Sequence, residues 1–342
     1  MNFEFYNKKG LCGLKNLGNT CYINSITHCM NNNHNFIDYL LTDTYKEDLN
    51  KDCDIHLLEE FIELSKKIYS ENSIIHPGSY MRIIKNTAEQ DACYKELLGY
   101  GQADSQEFLQ FFLEKIHEQL KYEVEMEITG VIKNDTDRLA VMKSNTEKTH
   151  FKNSYSKIVK EFYGMEYSKI FSSTLDDYKS ETMAPFSMLT LEIPSLPTGQ
   201  NKLNLYDCLD NYTSIEKNIK HKKNEADTNT YNKQIQFWSL PNTFIIVIKR
   251  YDNFLNKKND MIDFPIKDLN MYKYCVGYDN DKYVYDLFAI SNHSGGIQGG
   301  HYWAYCKNTD GNWYNFNDED VSLINESKLI SPQAYCLFYK KK

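Results

Sequence analysis

Two segments far apart in the chain carry residue types that can form a nucleophile and its base. Cys21 follows the turn-forming run Gly18-Asn19-Thr20 and begins a segment with a helical pattern. At the first turn of a helix, free backbone N–H groups and the helix dipole stabilise a thiolate, so this position predicts a thiol pKa below its ordinary value of about 8.5. From this segment alone, a small buried apolar cysteine is an equally good interpretation.

His301 has a comparable place in the second segment, directly after Gly299 and Gly300 and at the start of a β-rich run. Glycines let the backbone approach a substrate closely, and a strand holds the imidazole on a rigid element. His301 is therefore a candidate general base, and a purely structural histidine is the alternative. Asn317 or Asp318 could hold its second ring nitrogen, which would complete a Cys-His-Asn or Cys-His-Asp arrangement.

The elements that must position these residues differ in kind. Residues 11–125 are mainly helical in pattern, with one helix predicted from Cys21 to Met30 and another from Ser105 to Leu120. Asp104 and Glu107 have capping-box spacing at the start of the second helix. Later in the chain the pattern predicts strands at residues 186–193, 243–248, 284–290, 302–306 and 335–339.

Two hydrophilic stretches interrupt this pattern. Residues 121–160 are polar and without periodicity, which predicts an exposed insertion or a mobile loop, and we assign them no secondary structure. Residues 216–234 are charged and rich in asparagine.

Composition and charge narrow the class of protein. The 342 residues are 41% hydrophobic and 25% charged, which is typical of a folded soluble protein. A net charge of −8 argues against a nucleic-acid partner. No window approaches the roughly 20 apolar residues of a membrane span, and the first residues do not resemble a signal peptide. We therefore expect no membrane partner and a cytoplasmic or nuclear location, or both.

The nine cysteines are scattered, odd in number and without any CxxC pair. This pattern predicts reduced thiols rather than a disulfide framework, and it lacks the commonest sequence sign of structural zinc. We expect neither a metal nor another cofactor.

Several segments together resemble the ubiquitin-specific protease family. Residues 13–25, GLKNLGNTCYINS, are similar to the family's cysteine box GLxNLGNTCYxNS, and residues 299–305 with 313–318 are similar to its histidine box. Residues 102–109 resemble the family's QQDAQEFL, with Ala103 in place of the second glutamine. Further similarity lies in residues 240–250, 264–265 and 334–339, so that the resemblance covers roughly residues 11–340, with 121–160 as the main gap.

The resemblance implies a fold and its parts. The fold is an α+β, papain-like cysteine protease shaped as a hand, in a single catalytic domain over residues 1–342. A helical thumb would span about residues 11–125 and carry Cys21. Fingers and palm would span about residues 160–342, with β-fingers at about 160–240 and a β-rich palm that carries His301.

The resemblance also implies roles for single residues. Cys21 matches the family's nucleophile, His301 its general base and Asn317 its third catalytic residue. Asp318 matches an adjacent acidic position that can assist. Asn16 matches the family's donor to the oxyanion, a role that suits an uncharged amide N–H.

The implied substrate is ubiquitin, cut at its C-terminal glycine. Asp104 and Glu107 would bind the arginine-rich tail of ubiquitin while also capping their helix, and the glycines of the histidine box would let the narrow Gly-Gly end pass. The positions that the resemblance assigns to the substrate tail are Gln102, Asp104, Glu107, Gly299, Gly300 and Tyr302.

The expected activity is therefore that of a thiol-dependent deubiquitinase, monomeric and without a cofactor. A protease for another ubiquitin-like modifier and an inactive ubiquitin-binding pseudo-protease are the alternatives. Many relatives carry two CxxC pairs in the fingers, after an F-x-G element and after an L-x-x-C-L element. Phe162-Tyr-Gly164 and Leu205-Tyr-Asp-Cys208-Leu209 are present here without those pairs, so we expect fingers without zinc.

Overall fold

The computed structural model of this chain describes residues 3–95, 103–172, 179–196, 199, 202–220, 230–252, 254, 256–278, 280–296 and 299–342. Its helices are α1 (Phe3–Tyr6), α2 (Cys21–Asn31), α3 (His34–Leu41), α4 (His56–Ser70), α5 (Gly78–Glu89), α6 (Ser105–Leu120), α7 (Asp135–Phe151), α8 (Lys157–Phe162) and α9 (Leu205–Thr213). Its strands are β1 (Gly13–Leu14), β2 (Ile74–Ile75), β3 (Gly164–Ser172), β4 (Lys179–Phe186), β5 (Met188–Glu192), β6 (Leu203–Asn204), β7 (Glu216–Ile219), β8 (Tyr231–Ser239), β9 (Thr243–Lys249), β10 (Ile262–Asp263), β11 (Leu269–Asn270), β12 (Val284–Gly296), β13 (Gly299–Lys307), β14 (Trp313–Asn317), β15 (Asp320–Ile324) and β16 (Ala334–Lys341).

Residues 11–125 are mainly helical in the part that the structure describes, as predicted. Helices α2 and α6 confirm the two predicted helices, and α6 has the predicted bounds. Phe108, Phe112 and Ile116 lie on the buried face of α6, because apolar residues recur there at intervals of four. Helix α2 packs against α6 and also against β13, so the start of α2 lies where the helical and β-rich parts meet.

The larger sheet, as far as the structure describes it, has the strand order β15-β14-β13-β12-β16-β9-β5, with β11 added beside β12. Neighbouring strands are antiparallel except β5 and β9, which are parallel. The predicted strands at residues 243–248, 284–290, 302–306 and 335–339 are confirmed as β9, β12, β13 and β16. The predicted strand at 186–193 is β5, which follows directly on β4. Strand β16 lies between β12 and β9, in the interior of the sheet.

A hydrophobic core lies on each face of this sheet. One face packs against α2 through residues such as Ala304 and Phe316. The other face packs against α9 through residues such as Ile246 and Leu337. Because β9 is buried on both faces, its sequence is a continuous apolar run and does not alternate between apolar and polar residues.

A second sheet, with the strand order β4-β3-β8-β7, forms the region predicted as β-fingers. Part of the hydrophilic stretch 216–234 forms β7 and the start of β8. Residues 221–229 of that stretch lie outside the described residues, as do residues 173–178 between β3 and β4.

The expectation that residues 121–160 lack structure is wrong. Helix α7 occupies Asp135–Phe151, and α8 begins at Lys157. The side chain of Asn134 caps α7 by accepting a hydrogen bond from the N–H of Asp137, and acidic residues in the first turn match the helix dipole. Only Leu139 and Phe151 of α7 are buried, so most of the helix is polar and shows no apolar periodicity.

Helix α7 is also held by the smaller sheet. Leu139 packs with Met165, Tyr167 and Met183 in a small cluster of its own. These contacts are distant in sequence, so no local pattern predicted them. Among the described residues, no helix combines the length and the apolar character needed to cross a bilayer.

Candidate active site

Cys21 is the first residue of α2 and is 1% exposed. The turn before it contains Gly18 at φ 96° and Asn19 at φ 54°, a left-handed backbone that glycine and asparagine adopt most readily. The side chain of Thr20 does not cap α2. The first N–H groups of the helix therefore face the Cys21 thiol without competition from a capping oxygen.

Burial raises the pKa of the Cys21 thiol, and the nearby Asp318 carboxylate adds to the rise. Hydrogen bonds from the backbone N–H groups of Tyr302, Tyr22 and Cys21 itself oppose it. The expectation of a lowered pKa is therefore wrong here, because burial outweighs the favourable position at the helix start. A base is then needed to remove the proton.

His301 lies on β13, next to the residue whose backbone N–H bonds to the Cys21 sulfur. Its Nε2 is 2.5 Å from Oδ1 of Asn317, the last residue of β14. Because an amide oxygen only accepts, Nε2 must carry the hydrogen, and Nδ1 is left to take a proton. The structure thus brings the predicted nucleophile, base and third residue together.

Asp318 points its carboxylate at the thumb. Its Oδ2 accepts a hydrogen bond from Nδ2 of Asn16 at 2.9 Å, and its Oδ1 accepts one from Nδ2 of Asn24 at 2.8 Å. Its backbone oxygen accepts the N–H of Leu14 at 2.8 Å. Asp318 has φ 51° in the two-residue turn between β14 and β15, and this turn presents it to the thumb.

Asn16, the predicted oxyanion donor, is held at both ends of its amide. Its Oδ1 accepts hydrogen bonds from the N–H groups of Gly18 at 3.0 Å and Thr20 at 3.2 Å, while Nδ2 donates to Asp318. These contacts fix which end of the amide is the donor. The second hydrogen on Nδ2 is available for an oxyanion.

The predicted tail-binding carboxylates lie at the start of α6. Asp104 caps the helix by accepting the N–H of Gln106, as predicted, but Glu107 does not return the bond that would complete a capping box. Oδ2 of Asp104 also accepts the hydroxyl of Tyr335 at 2.7 Å. Burial raises the pKa of Asp104, and burial with the Asp104 charge raises the pKa of Glu107. Gln102, assigned to the same tail site, lies outside the described residues.

The two glycines before His301 have different surroundings. A Cβ on Gly300 would lie 2.3 Å from Nε2 of His293 and 2.4 Å from the backbone oxygen of Ser294, whereas a Cβ on Gly299 would meet nothing within 4 Å. Gly300 is therefore required by contacts inside the chain, and Gly299 borders open space. Tyr302 is buried with its ring stacked on His293, at 4.4 Å between centroids.

Among the described residues, no group of three or more His, Cys, Asp or Glu side chains is arranged to hold a metal ion. Cys208, in the predicted L-x-x-C-L element, is buried in the core of the larger sheet, and burial raises its pKa to about 11. The expectation of fingers without zinc stays a prediction, since residues 173–178 and 221–229 lie outside the described residues.

Sequence reasoning missed four residues around the site: Asn24, Tyr335, His293 and Lys257. Asn24 and Tyr335 lie within the family boxes described above. Their spacing in the sequence does not predict that Asn24 hydrogen-bonds to Asp318 and that Tyr335 hydrogen-bonds to Asp104. Their partners are far away in sequence, so only the fold reveals them.

Comparisons with known proteins agree with this geometry. A family model described as ubiquitin carboxyl-terminal hydrolase matches residues 12–339. The chain is 31% identical to ubiquitin carboxyl-terminal hydrolase 2 of Bos taurus, over 97% of this chain and 55% of that protein. It is 28% identical to ubiquitin carboxyl-terminal hydrolase 8 of Saccharomyces cerevisiae, over 97% of this chain and 71% of that protein. The chain thus spans about half the length of the first of these relatives.

Solved structures give the same result for the fold. The chain matches a structure of the SAGA Ubp8/Sgf11/Sus1/Sgf73 DUB module bound to ubiquitin aldehyde, with a TM-score of 0.73 and 26% identity, over 98% of this chain and 70% of that one. A related structure of the module bound to monoubiquitin matches with a TM-score of 0.72 and 27% identity, over the same shares. The predicted α+β fold is confirmed, and with it the resemblance stated from the sequence: the chain belongs to the ubiquitin carboxyl-terminal hydrolase family, in its ubiquitin-specific protease branch.

Proposed function

We propose that the protein is a cysteine-type deubiquitinase, which hydrolyses the isopeptide or peptide bond at the C-terminal glycine of ubiquitin through a thioester on Cys21. One observation carries the proposal. Cys21 accepts a hydrogen bond from the backbone N–H of Tyr302, directly after His301, whose ring is held by Asn317. Membership of the family and the ubiquitin-bound structures of relatives support the choice of substrate.

The first half of the reaction forms the thioester. Nδ1 of His301 takes the Cys21 proton, and the sulfur attacks the carbonyl carbon of the ubiquitin glycine. The tetrahedral oxyanion is stabilised by Nδ2 of Asn16 and by backbone N–H groups at the start of α2. His301 then gives its proton to the leaving amine as the carbon–nitrogen bond breaks.

Water completes the reaction. His301 removes a proton from a water molecule, whose oxygen attacks the thioester carbonyl, and Cys21 leaves as a thiolate and is reprotonated. Over the cycle, His301 passes the Cys21 proton to the leaving amine and the water proton back to Cys21. These steps require no cofactor.

The tail of ubiquitin is proposed to reach the site past Asp104, Glu107 and Gly299. The carboxylates of Asp104 and Glu107 offer opposite charge to tail arginines, and the open space beside Gly299 suits a chain that ends in two glycines. We further propose that the protein acts as a monomer, in the cytoplasm, the nucleus or both.

The test is hydrolysis of a fluorogenic substrate attached to the ubiquitin C-terminus, compared among wild type, Cys21→Ala and Cys12→Ala. Cys21→Ala should lose all turnover yet still bind ubiquitin, because it removes the reacting atom and little contact surface. Cys12 is a buried cysteine away from the site, so Cys12→Ala should keep wild-type turnover. Turnover by Cys21→Ala would overturn the nucleophile. A wild type that cleaves only other ubiquitin-like modifiers would overturn the substrate.

A further inference from the structure

Lys257 lies in the loop that follows β9 and donates to three acceptors on one hairpin. Its Nζ is 3.2 Å from Nδ1 of His293, 3.1 Å from the backbone oxygen of His293 and 3.0 Å from the backbone oxygen of Gly295. A lysine ammonium carries three hydrogens, so all three have an acceptor here. Each acceptor belongs to the hairpin formed by β12 and β13.

All three acceptors are neutral. Burial lowers the pKa of Lys257, as does the nearby charge of Arg250. Placing a partly buried cation among neutral acceptors is costly unless each hydrogen finds a partner, and the three short contacts meet this condition. The contacts thus define one position for the ammonium relative to the hairpin.

His293 connects Lys257 to the groove, the name used here for the proposed path of the substrate tail past Asp104, Glu107 and Gly299. Its Nδ1 faces Lys257, its ring stacks on Tyr302 at 4.4 Å between centroids, and its Nε2 occupies the space beside Gly300. Burial and the charges of Lys257 and His301 lower the pKa of His293 to about 4, which keeps the ring neutral. A neutral Nδ1 accepts from Lys257, so Nε2 carries the hydrogen.

The described residues at the end of this hairpin are mostly glycines. Gly295, Gly296, Gly299 and Gly300 have no side chains to pack, and glycine loses more backbone entropy on ordering than any other residue. Gly295 also has φ 103°. A contact from outside the hairpin is therefore an efficient way to order the backbone that leads into His301.

We propose that Lys257 is a positioning residue for the reaction: its ammonium anchors the glycine-rich β12–β13 hairpin at His293 and Gly295, and so holds the groove through which the end of the substrate tail passes. The proposal rests on the function proposed above. Lys257 acts through the hairpin and takes no part in proton transfer.

Lys258 supplies a matched control. It is the next residue, is also partly exposed, and donates from Nζ to the backbone oxygen of Ile193 at 3.1 Å, away from the hairpin. Lys257→Met and Lys258→Met remove the same charge from the same loop. Because displacement of a reacting group by about 1 Å costs about 100-fold, we expect kcat/KM on the ubiquitin fluorogenic substrate to fall about 10- to 100-fold for Lys257→Met and less than about threefold for Lys258→Met.

A second readout separates groove geometry from thiol chemistry. The pH profile of Cys21 alkylation by iodoacetamide does not need the substrate groove, and peptide mass spectrometry distinguishes Cys21 from the exposed Cys93. We expect this profile to stay unchanged in Lys257→Met. A profile shifted in step with kcat/KM would place the role of Lys257 in thiol ionisation and overturn the inference.

Lys257→Arg tests the contact of one nitrogen with three acceptors. It is also the alternative test if Lys257→Met does not fold. It keeps the charge, but a planar guanidinium cannot direct three hydrogens from one nitrogen. We expect a loss smaller than that of Lys257→Met but larger than that of Lys258→Met. Wild-type activity in Lys257→Arg, or equal losses in the two methionine variants, would overturn the inference. An inactive wild type would instead overturn the proposed function.

Discussion

At the scale of residues, the two neighbours Asn317 and Asp318 face different partners. Asn317 holds the ring of His301, whereas the carboxylate of Asp318 holds the amides of Asn16 and Asn24. The left-handed backbone of Asp318 turns it towards the thumb. The Cys-His-Asn arrangement therefore ends at Asn317, and Asp318 supports the proposed oxyanion donor.

These separate contacts of Asn317 and Asp318 predict how the rate losses of single substitutions combine in double variants. Asp318→Ala should cost about 100- to 1000-fold in kcat, like the loss of an oxyanion donor, because Asn16 loses the contact that orients it. Asn16→Ala and Asp318→Ala should then be strongly non-additive, since both remove the same function.

Asn317→Ala is the matched comparison for that cycle. It should lower kcat/KM less than His301→Ala and combine additively with Asn16→Ala, because it acts on the imidazole. Kinetics of the single and double variants on the ubiquitin substrate measure both cycles. Additivity between Asn16 and Asp318 would show that Asp318 acts elsewhere.

At the scale of elements, the β12–β13 hairpin contains two glycines with different constraints. Gly300→Ala would place its Cβ against His293, so we expect a lower melting temperature and little activity. Gly299→Ala meets open space, so its melting temperature should stay near that of wild type. If the substrate tail passes there, however, kcat/KM should fall by at least about tenfold, since even one methyl group displaces the reacting carbonyl.

Melting curves and ubiquitin hydrolysis of both glycine variants test this pair. Full activity in Gly299→Ala would show that the tail takes another path. A stable Gly300→Ala would show that both the His293 ring and the backbone oxygen of Ser294 can move away.

Elements with strong periodicity could be predicted from the sequence, and α7 could not. Helix α6 has apolar residues on one face and a capping Asp104, so its bounds follow from local signals. Helix α7 buries only Leu139 and Phe151, and its stability depends on the smaller sheet. The site shows the same limit: Cys21 and His301 stand in recognisable segments, whereas the contact of Lys257 with His293 depends on the fold alone.

At the scale of the whole molecule, buried neutral histidines predict sensitivity to acid. His28 is fully buried, and neither ring nitrogen has a hydrogen-bond partner among the described residues. Burial lowers its pKa from 6.5 to about 3. Below pH 6.5, His28 therefore binds a proton in the unfolded chain but stays neutral in the folded chain. As a result, the free energy of unfolding falls as the pH drops, and this residue contributes about 1.4 kcal/mol per pH unit to the fall.

Melting temperatures between pH 7.5 and pH 5 test this prediction. His28→Leu should flatten the pH dependence much more than His76→Gln, which changes an exposed histidine. Equal steepness in wild type and His28→Leu would contradict the assignment.

The absence of CxxC pairs gives a second prediction for the whole protein. Purified protein should contain no stoichiometric zinc, and a strong chelator should leave its activity and melting temperature unchanged, because the sequence lacks the paired cysteines that hold a structural metal in such fingers. Elemental analysis that finds about one zinc per chain would reject this.

The interior position of β16 has a consequence for synthesis on the ribosome. Strands β9 and β12, which flank it, are translated earlier. Until residues 334–341 emerge from the ribosome, β9 and β12 each have an edge that is not yet paired with β16. Unpaired strand edges can pair with strands of other chains. A messenger that ends before Ala334 would therefore yield an aggregation-prone product as well as an inactive one. Chaperones that cover strand edges would be needed longest at this stage of translation.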